Sequence, residues 1–275
     1  MKTLLSPKEL TIVVLFSAIP VFGLAQNADA FIKQDSVFNR SLSEVVITAN
    51  RFSSLSFNTS EAIEVLKSKS ISQNQLRSAP EALAVTPGVF VQKTNHGGGS
   101  PFIRGLTGNQ TLQMIDGIRL NNATYRYGPD QYFNTLDVFS LESIEVLRGS
   151  GSVQYGSDAL GGTIQAFSKD ASFSDKKSWG SELLTRISTH GMEQTARADI
   201  NFGNQKAAFR GGLSWRNFGD ITGGDTTGLQ SPNNYTELDF DLKGKIKLSK
   251  SAVLTMAYQN VHQQDVDVYH KVEVE

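Results

Sequence analysis

Residues 141–164 read LESIEVLRGSGSVQYGSDALGGTI, and this stretch decides the fold. The segment from Ile144 to Leu147 favours an extended strand, because residues branched at Cβ fit a pleated sheet. Glycines then follow at positions 149, 151, 156, 161 and 162, where they allow positive φ and close approach of backbones. Their spacing does not fit dinucleotide binding. The stretch predicts a strand that ends in a tight glycine turn, within a small domain enclosed by a larger structure.

Shorter signals upstream predict the rest of this domain. Ser78–Val85 is a helix with Ser78 as N-cap and a proline in its first turn, and it must stop before Pro87. Further strands are expected at Ile63–Leu66 and Val89–Gln92, and a hairpin at the turn dipeptide Asp116-Gly117. Lys93–Ser100 contains three consecutive glycines and is expected to be a flexible loop. It is not a phosphate cradle, since no Gly-Lys-Ser/Thr follows.

The chain after residue 180 alternates between apolar and polar residues. In Thr195–Phe202 the apolar positions are 196, 198, 200 and 202, and the same period recurs over 207–216, 237–248 and 252–258. Such alternation is typical of membrane strands with one face toward lipid and one toward the lumen, and Trp215 near a strand end suits an interfacial girdle. A soluble antiparallel sandwich with one wet face gives the same alternation, so the pattern alone leaves both open.

Composition excludes several classes of function. The chain has 26 Lys and Arg against 27 Asp and Glu, a net charge of −1, with no basic stripe for nucleic acid. It has no cysteine, which excludes disulfides and thiolate metal sites. No nucleophile motif is present, because Gly156-Ser157-Asp158 is not a nucleophile elbow. With 24 glycines and 39% hydrophobic residues, a β-rich protein is expected. The lack of a nucleophile motif agrees with a protein that is not an enzyme, and no cofactor is expected.

The first 25 residues predict a signal peptide. Lys2 and Lys8 precede a mainly apolar run from Leu10 to Ala25. Gly23 and Ala25 occupy positions −3 and −1 of a cleavage site before Gln26. Residues 26–43 then form a polar, mobile leader that is too short to hold an accessory domain. The protein is expected to be exported.

One family matches these motifs in order and spacing. The segment Glu44, Val45, Val46, Ile47, Thr48, Ala49 is similar to the TonB box of TonB-dependent outer-membrane receptors. The plug motifs of that family resemble Pro87-Gly88-Val89, Ile103-Arg104-Gly105, Ile115-Asp116-Gly117, Ile144–Gly149 and Tyr155–Gly162. Several ordered motifs after an export signal are far more specific than any one alone. The resemblance covers residues 44–168.

The resemblance implies an α+β plug domain, with a small mixed sheet and short helices, followed by the first antiparallel strands of a transmembrane β-barrel. The expected domains are a signal peptide at 1–25, the leader with the box at 26–60, a plug at 61–170 and strands at 171–275. The last segment has room for about five or six membrane strands, whereas a plugged barrel of this kind needs about 22. An N-terminal fragment of a longer receptor is therefore expected.

The implied function is active uptake across the cell outer membrane of an iron chelate, such as a siderophore or haem, or of a similar nutrient such as a corrinoid. The periplasmic partner TonB would add a strand to the box, whose β-prone backbone suits this. Outer-membrane lipid and an extracellular small ligand are the other partners. A non-transporting adhesin or assembly module, whose N-terminal domain only binds partners, remains the alternative.

The resemblance also implies roles for single residues. Arg104 and Arg148, each just before a glycine, are expected to pair with carboxylates on the barrel wall and lock the plug. His96, Tyr125, Tyr127 and Tyr132 lie in the two loops that the family places toward the outside. They are the ligand-binding candidates, since histidine and tyrosine suit haem or a ferric chelate. Asp116 is expected to form a turn.

Overall fold

The computed structural model describes residues 62–121, 128–189 and 192–267, together with the backbone of two short strands, β1 (Val45–Val46) and β2 (Ser54–Leu55). All of these belong to one compact unit, residues 42–275. Over residues 62–168 the strands are β3 (Ala62–Lys67), β4 (Val89–Lys93), β5 (Gly99–Ile103), β6 (Thr111–Ile115), β7 (Ile118–Arg119), β8 (Leu141–Arg148) and β9 (Gly162–Ser168). The helices are α1 (Ser68–Gln73), α2 (Ala79–Ala84) and α3 (Ser152–Tyr155), with 3-10 turns at Gly108–Gln110, Tyr132–Thr135 and Val138–Ser140.

Residues 62–168 form the mixed-sheet domain. Its main sheet has the order β3-β8-β9-β6-β7, in which only the β6·β9 pair is parallel. Branched and aliphatic side chains from the main sheet, from β5 and from α2 make the core, among them Leu83, Ile103, Leu141, Ile144 and Ile164, all at most 1% exposed. Burial of these side chains contributes roughly 1.5–3 kcal/mol each. The predicted strands at 63–66, 89–92 and 144–147 and the hairpin at Asp116-Gly117 are confirmed.

The helix predicted at Ser78–Val85 is confirmed as α2. The Ser78 hydroxyl accepts a hydrogen bond from the backbone N–H of Glu81 at 3.3 Å, and Pro80 lies in the first turn, where its missing N–H costs nothing. The helix ends before Pro87, and Gly88 turns the chain into β4 at φ +77°. This local unit therefore follows directly from its capping and turn residues.

The glycines of the loop at 94–99 serve a different purpose from the one predicted. The loop was expected to be flexible, but residues 95–99 are buried. A Cβ on Gly98 would lie 2.7 Å from Asn95 Oδ1 and 2.8 Å from Gln131 Oε1, and one on Gly97 would collide with the Tyr235 hydroxyl. The glycines allow close packing against the 3-10 turn at Tyr132–Thr135 and against a later strand, which no local signal could reveal.

The second sheet contains five long strands and is called the wall. Its strands are β10 (Ser178–Ser188), β11 (Glu193–Gly203), β12 (Ala207–Phe218), β15 (Tyr235–Lys247) and β16 (Val253–Gln264), all antiparallel and in that order. A small hairpin, β13 (Ile221–Thr222) with β14 (Leu229–Gln230), lies in the long connection between β12 and β15. The connections at 204–206 and 248–252 are short. The predicted fold class, a mixed sheet with short helices followed by antiparallel strands, is confirmed.

The wall exposes its apolar face and buries its polar face, which is the reverse of a soluble sheet. Its outer face exposes large apolar side chains from every strand, including Leu183, Ile200, Leu213, Phe240 and Met256. Its inner face buries charged and polar side chains, namely Glu193, Thr195, Arg197, Asp199, Arg210, Ser214, Arg216, Glu237 and Asp239. A soluble sandwich would bury the apolar face instead. The alternation read from the sequence is therefore that of a sheet whose apolar face meets lipid.

Some elements gave no usable sequence signal. Three strands and one helix were not predicted, namely β5, β9, β10 and α1. Strands β5 and β9 begin within glycine-rich segments, and Gly180 and Ser181 interrupt the alternation in β10. Tertiary pairing with β4, β8 and β11 forms these strands instead. In the described part of the chain, every helix is too short or too polar to traverse a bilayer.

Candidate functional site

The inner face of the wall contacts the mixed-sheet domain through charged side chains. Cross-strand pairing aligns these residues in rows, because directly opposed residues of an antiparallel pair share a face. One row is Arg197, Ser214, Asp239, and the next is Asp199, Gly212, Asp241. The period of two along each strand therefore presents a grid of charges to the mixed-sheet domain.

Arg197 lies at the centre of this grid and is 1% exposed. Its Nη1 donates to Asp137 Oδ2 at 2.6 Å and to Ser214 Oγ at 3.0 Å. Its Nε and Nη2 donate to both oxygens of Asp199 at 2.8 and 2.7 Å, and Nη2 also donates to Asp241 Oδ1 at 2.7 Å. Asp137 is the only one of these partners that belongs to the mixed-sheet domain. We call this group, Arg197 with Asp137, Asp199, Ser214 and Asp241, the arginine joint.

Neighbouring residues make the arginine joint possible. Gly212 lies beside the Arg197 guanidinium, and a Cβ at this position would collide with it. Arg210 donates to Asp199 Oδ1 at 2.7 Å and so adds a second positive charge to the acidic cluster. Asp137 also caps the 3-10 turn Val138–Ser140, where its Oδ1 accepts the Phe139 N–H at 3.0 Å. The carboxylate is therefore held from both sides and has little freedom to move.

A second set of arginine contacts fixes the region around α2. Arg216 donates to Glu237 Oε1 at 2.7 Å and to the backbone carbonyl of Arg77. Arg186 donates to the carbonyl of Gln75 at 3.2 Å. Both guanidinium groups lie over the Phe139 ring, at 5.0 Å for Arg186 and 5.4 Å for Arg216, within the range of a cation–π attraction. Carbonyl acceptors at the end of the segment before α2 are thus satisfied by the wall.

Nearer the short connections of the wall, lysines replace arginines. Lys243 Nζ donates to Asp116 Oδ2 at 3.1 Å and to Ser168 Oγ at 2.8 Å. Lys245 pairs with Asp170, whose side chain is 51% exposed. We call these five residues, Lys243, Lys245, Asp116, Ser168 and Asp170, the lysine joint. Because its partners face solvent, its charges are screened far more than those of the arginine joint.

Charged side chains also connect α2 with the residues just before it and with β4. Glu81 Oε1 accepts from Arg77 Nη2 at 2.9 Å and from Lys93 Nζ at 3.3 Å. Its Oε2 accepts from the Arg77 backbone N–H at 2.6 Å. Burial alone would raise the pKa of Glu81, but the hydrogen bonds from Arg77 and the charge of Lys93 lower that pKa to about 2. Glu81 is therefore an anion at any physiological pH.

The arrangement of a small mixed sheet against the charged face of an inverted sheet matches known proteins. A family model described as TonB-dependent Receptor Plug Domain matches residues 56–163. The matched residues form a plug domain of the TonB-dependent receptor type. We therefore call the mixed-sheet domain the plug. Members of the family are outer-membrane transporters rather than enzymes, so the outer membrane is the location of this receptor.

Individual relatives support this assignment. The chain is similar to the vitamin B12 transporter BtuB of Vibrio vulnificus, with 32% identity over 171 residues, which is 62% of this chain and 26% of the relative. It is also similar to the BtuB of Vibrio cholerae, with 28% identity over 232 residues, 80% of this chain and 36% of the relative. The chain therefore spans about a third or less of the length of these relatives.

Solved structures share the fold. The pyoverdine receptor FpvA of Pseudomonas aeruginosa superposes with a TM-score of 0.65 at 16% identity, over 83% of this chain and 29% of that one. The siderophore receptor PiuA of Acinetobacter baumannii gives a TM-score of 0.57 at 23% identity, over 76% of this chain and 27% of that one. At these identities the likeness concerns the fold alone.

The two arginines predicted to lock the plug have neighbours within the plug itself. Arg148 Nη2 pairs with Glu64 Oε1 at 2.9 Å on the neighbouring strand β3 of the plug itself. Its guanidinium packs over Gly88, where a Cβ would be 2.8 Å away. Arg104 is exposed, has φ +52° and lies near Gly149. Neither forms an ion pair with the wall among the described residues, so a locking role for them stays a prediction.

His96 is a buried contact between plug and wall, 2% exposed. Its Nε2 donates to the Gly219 carbonyl at 2.8 Å, and its Nδ1 lies 3.3 Å from Arg77 Nη1. Arginine has only donors, so Nδ1 must accept and the ring must be neutral. Burial lowers the pKa of His96, and the charges of Arg77 and Lys93 add to the decrease. The ring also stacks on Phe218, with centroids 5.2 Å apart. Ligand binding by His96 would require these contacts to break, and it stays a prediction.

Of the predicted tyrosines, Tyr132 is 40% exposed on the 3-10 turn Tyr132–Thr135. Tyr125 and Tyr127 lie outside the described residues, as do the signal peptide and Glu44. In the TonB box only the backbone of Val45–Val46 is described. It is extended and pairs antiparallel with Ser54–Leu55. The roles of these residues stay predictions.

Sequence reasoning missed the arginine joint. The alternation already placed Arg197 and Asp199 on the inner face, so a signal for buried charges was present. The family resemblance points to arginines that precede glycines in plug motifs, whereas in the structure arginines of the wall form the ion pairs with the plug. Asp137 carried no signal of its own, because an aspartate in a polar loop is usually a turn former.

Proposed function

We propose that this chain belongs to a TonB-dependent transporter that actively takes up an iron chelate or a corrinoid across the outer membrane. The observation that carries the proposal is the inverted wall, whose buried charged face holds the plug while its apolar face is exposed. A plug held mainly by polar contacts can be displaced at lower cost than one held by an apolar core, because water can replace those contacts. Such an arrangement suits a gate.

The proposed energy source is the partner TonB, through residues 44–49. Backbone pairing is the recognition mode, because an added strand needs only an extended segment with an available edge. The extended conformation of Val45–Val46 supports this mode. Among the described residues this strand pairs on one side only, with Ser54–Leu55, so the partner would add to its other edge.

The proposed ligand is a corrinoid or a ferric siderophore. The sequence relatives are vitamin B12 transporters, and the solved structures with the same fold are siderophore receptors. Tyr132, together with Tyr125, Tyr127 and His96, is proposed to contribute to the ligand site. Arg104 and Arg148 are proposed to contribute to locking the plug, with Arg148 acting through Glu64 on β3.

The test uses the complete gene that contains this sequence, expressed in cells that lack their own corrinoid and siderophore receptors. Uptake of labelled cyanocobalamin and of a labelled ferric siderophore is measured with and without TonB. Uptake of one of the two that depends on TonB is expected. Val46→Pro should abolish uptake but preserve ligand binding, because proline removes a backbone donor and restricts φ.

The matched control is Val46→Thr, which keeps the backbone donor and the β-branched side chain and should transport normally. Uptake by the Val46→Pro variant at the normal rate would refute transport through the box. Cell attachment without uptake of either ligand, unaffected by loss of TonB, would instead support an adhesin or assembly module.

A further inference from the structure

We propose that Asp137 and Arg197 anchor the plug to the wall, with the positive charge supplied by the wall and the negative charge by the plug. The inference deepens the proposed function and rests on it, since an anchor matters only in a gated pore. Asp137 and Arg197 act as positioning residues: neither is assigned to the ligand.

Hydrogen bonds occupy every N–H donor of the Arg197 guanidinium. Arginine has five N–H donors, and the three nitrogens of Arg197 make five hydrogen bonds of 2.6–3.0 Å. The side chains of Arg197 and Asp137 are each 1% exposed, so bulk water has little access to these bonds. Replacing one partner of a buried, fully hydrogen-bonded ion pair costs stability, because the other charge stays buried without compensation.

The hydrogen-bond partners of Asp137 require a carboxylate at this position. Its Oδ1 accepts the Phe139 N–H at 3.0 Å, and its Oδ2 accepts both Arg197 Nη1 and the Ser214 hydroxyl, each at 2.6 Å. All three partners are donors. An asparagine has one acceptor oxygen and one donor nitrogen, so it can serve the cap or the wall but not both.

Asp137 lies next to the central part of the plug sheet. Asp137 immediately precedes the 3-10 turn Val138–Ser140, which leads directly into β8. β8 is an inner strand of the plug sheet, paired on both sides with β3 and β9. A fixed Asp137 therefore fixes the centre of the plug, whereas the lysine joint holds only the chain at Asp116 and at residues 168–170.

The experiment compares Asp137→Asn with Asp170→Asn in the full-length receptor. The chemical change is the same, but Asp170 belongs to the exposed lysine joint. The readout is entry of vancomycin into cells that lack TonB, normalised to the amount of receptor at the surface. Asp137→Asn should shift the closed-to-open balance of the plug on the order of a hundredfold, and vancomycin sensitivity should rise. Asp170→Asn should change sensitivity less than twofold, as for exposed pairs.

A second variant provides the test if the Asp137→Asn receptor does not assemble. Ser214→Ala removes one donor to Asp137 and one acceptor for Arg197 without changing a charge, and should give a smaller leak in the same direction. Single-channel recordings in planar bilayers should show openings for both variants. Equal vancomycin entry for wild type and both joint variants, or a leak as large in Asp170→Asn, would overturn the anchor. In that case intact TonB-dependent uptake by the wild type would leave the proposed function standing, and its absence would refute that function instead.

Discussion

The arginine joint and the lysine joint connect the same two parts of the molecule with the same kinds of charge, yet their surroundings differ. Arg197 and Asp137 are both 1% exposed, whereas the side chain of Asp170 is 51% exposed. Desolvated pairs are screened little and their geometry is fixed, while exposed pairs exchange with water and salt. Environment rather than charge therefore decides which contact holds the plug and which one yields.

The largest expected effect comes from Arg197→Met, which keeps much of the side-chain volume but removes the charge. Asp137, Asp199 and Asp241 would then lie close together without the guanidinium that joins them, and only Asp199 would keep its hydrogen bond from Arg210. The loss of stability should be about 3–5 kcal/mol. Thermal unfolding of the purified receptor in detergent measures it. A change below 1 kcal/mol would erase the distinction between the two joints.

Gly212→Ala tests whether the Arg197 guanidinium needs the space that Gly212 leaves free on the inner face of β12. The added Cβ would collide with the Arg197 guanidinium and should cost about 1–3 kcal/mol. Gly211→Ala is the matched control, because its Cβ would point to the outer face and meet Leu242 Cδ1 at an ordinary 3.4 Å. Equal melting temperatures for the two variants would contradict the packing argument.

Acidification tests the contribution of Glu81. Its pKa of about 2 in the folded protein lies below the ordinary 4.5. The stability it contributes is thus present above pH 4.5 and lost as pH falls toward 2. The upper limit is about 3 kcal/mol. Glu81→Gln should lower stability at pH 7 and flatten its pH dependence between 4.5 and 2, as followed by urea unfolding at a series of pH values. Parallel curves for both proteins would refute this role.

Lys245→Gln should have the smallest effect. Its partner Asp170 is half exposed, so the change in stability should be within about 1 kcal/mol and should vanish at high salt. Melting temperatures at low and high sodium chloride measure it. A large, salt-independent loss would show that the lysine joint is as firm as the arginine joint.

Local sequence signals predicted the elements that depend on their own residues. The cap at Ser78, the stop before Pro87 and the turn at Asp116-Gly117 act within a few residues, so each was found. β5 and β9 form because β4, β6 and β8 lie beside them, and a glycine-rich segment does not reveal its partner. For the same reason the loop at 94–99 reads as flexible, although its glycines make room for Tyr235 and Gln131.

By itself, the sequence determined the family through ordered plug motifs, the two faces of the wall through alternation, and the exclusion of thiol chemistry through the lack of cysteine. Only the tertiary structure decided which charges meet. Asp137 and Arg197 are 60 residues apart, and a carboxylate's partner depends on which surfaces pack together rather than on its neighbours in the chain. Packing of the plug against the wall buries the loop residue Asp137 in an ion pair with Arg197, whereas pairing of β3 with β8 places Arg148 against Glu64 inside the plug.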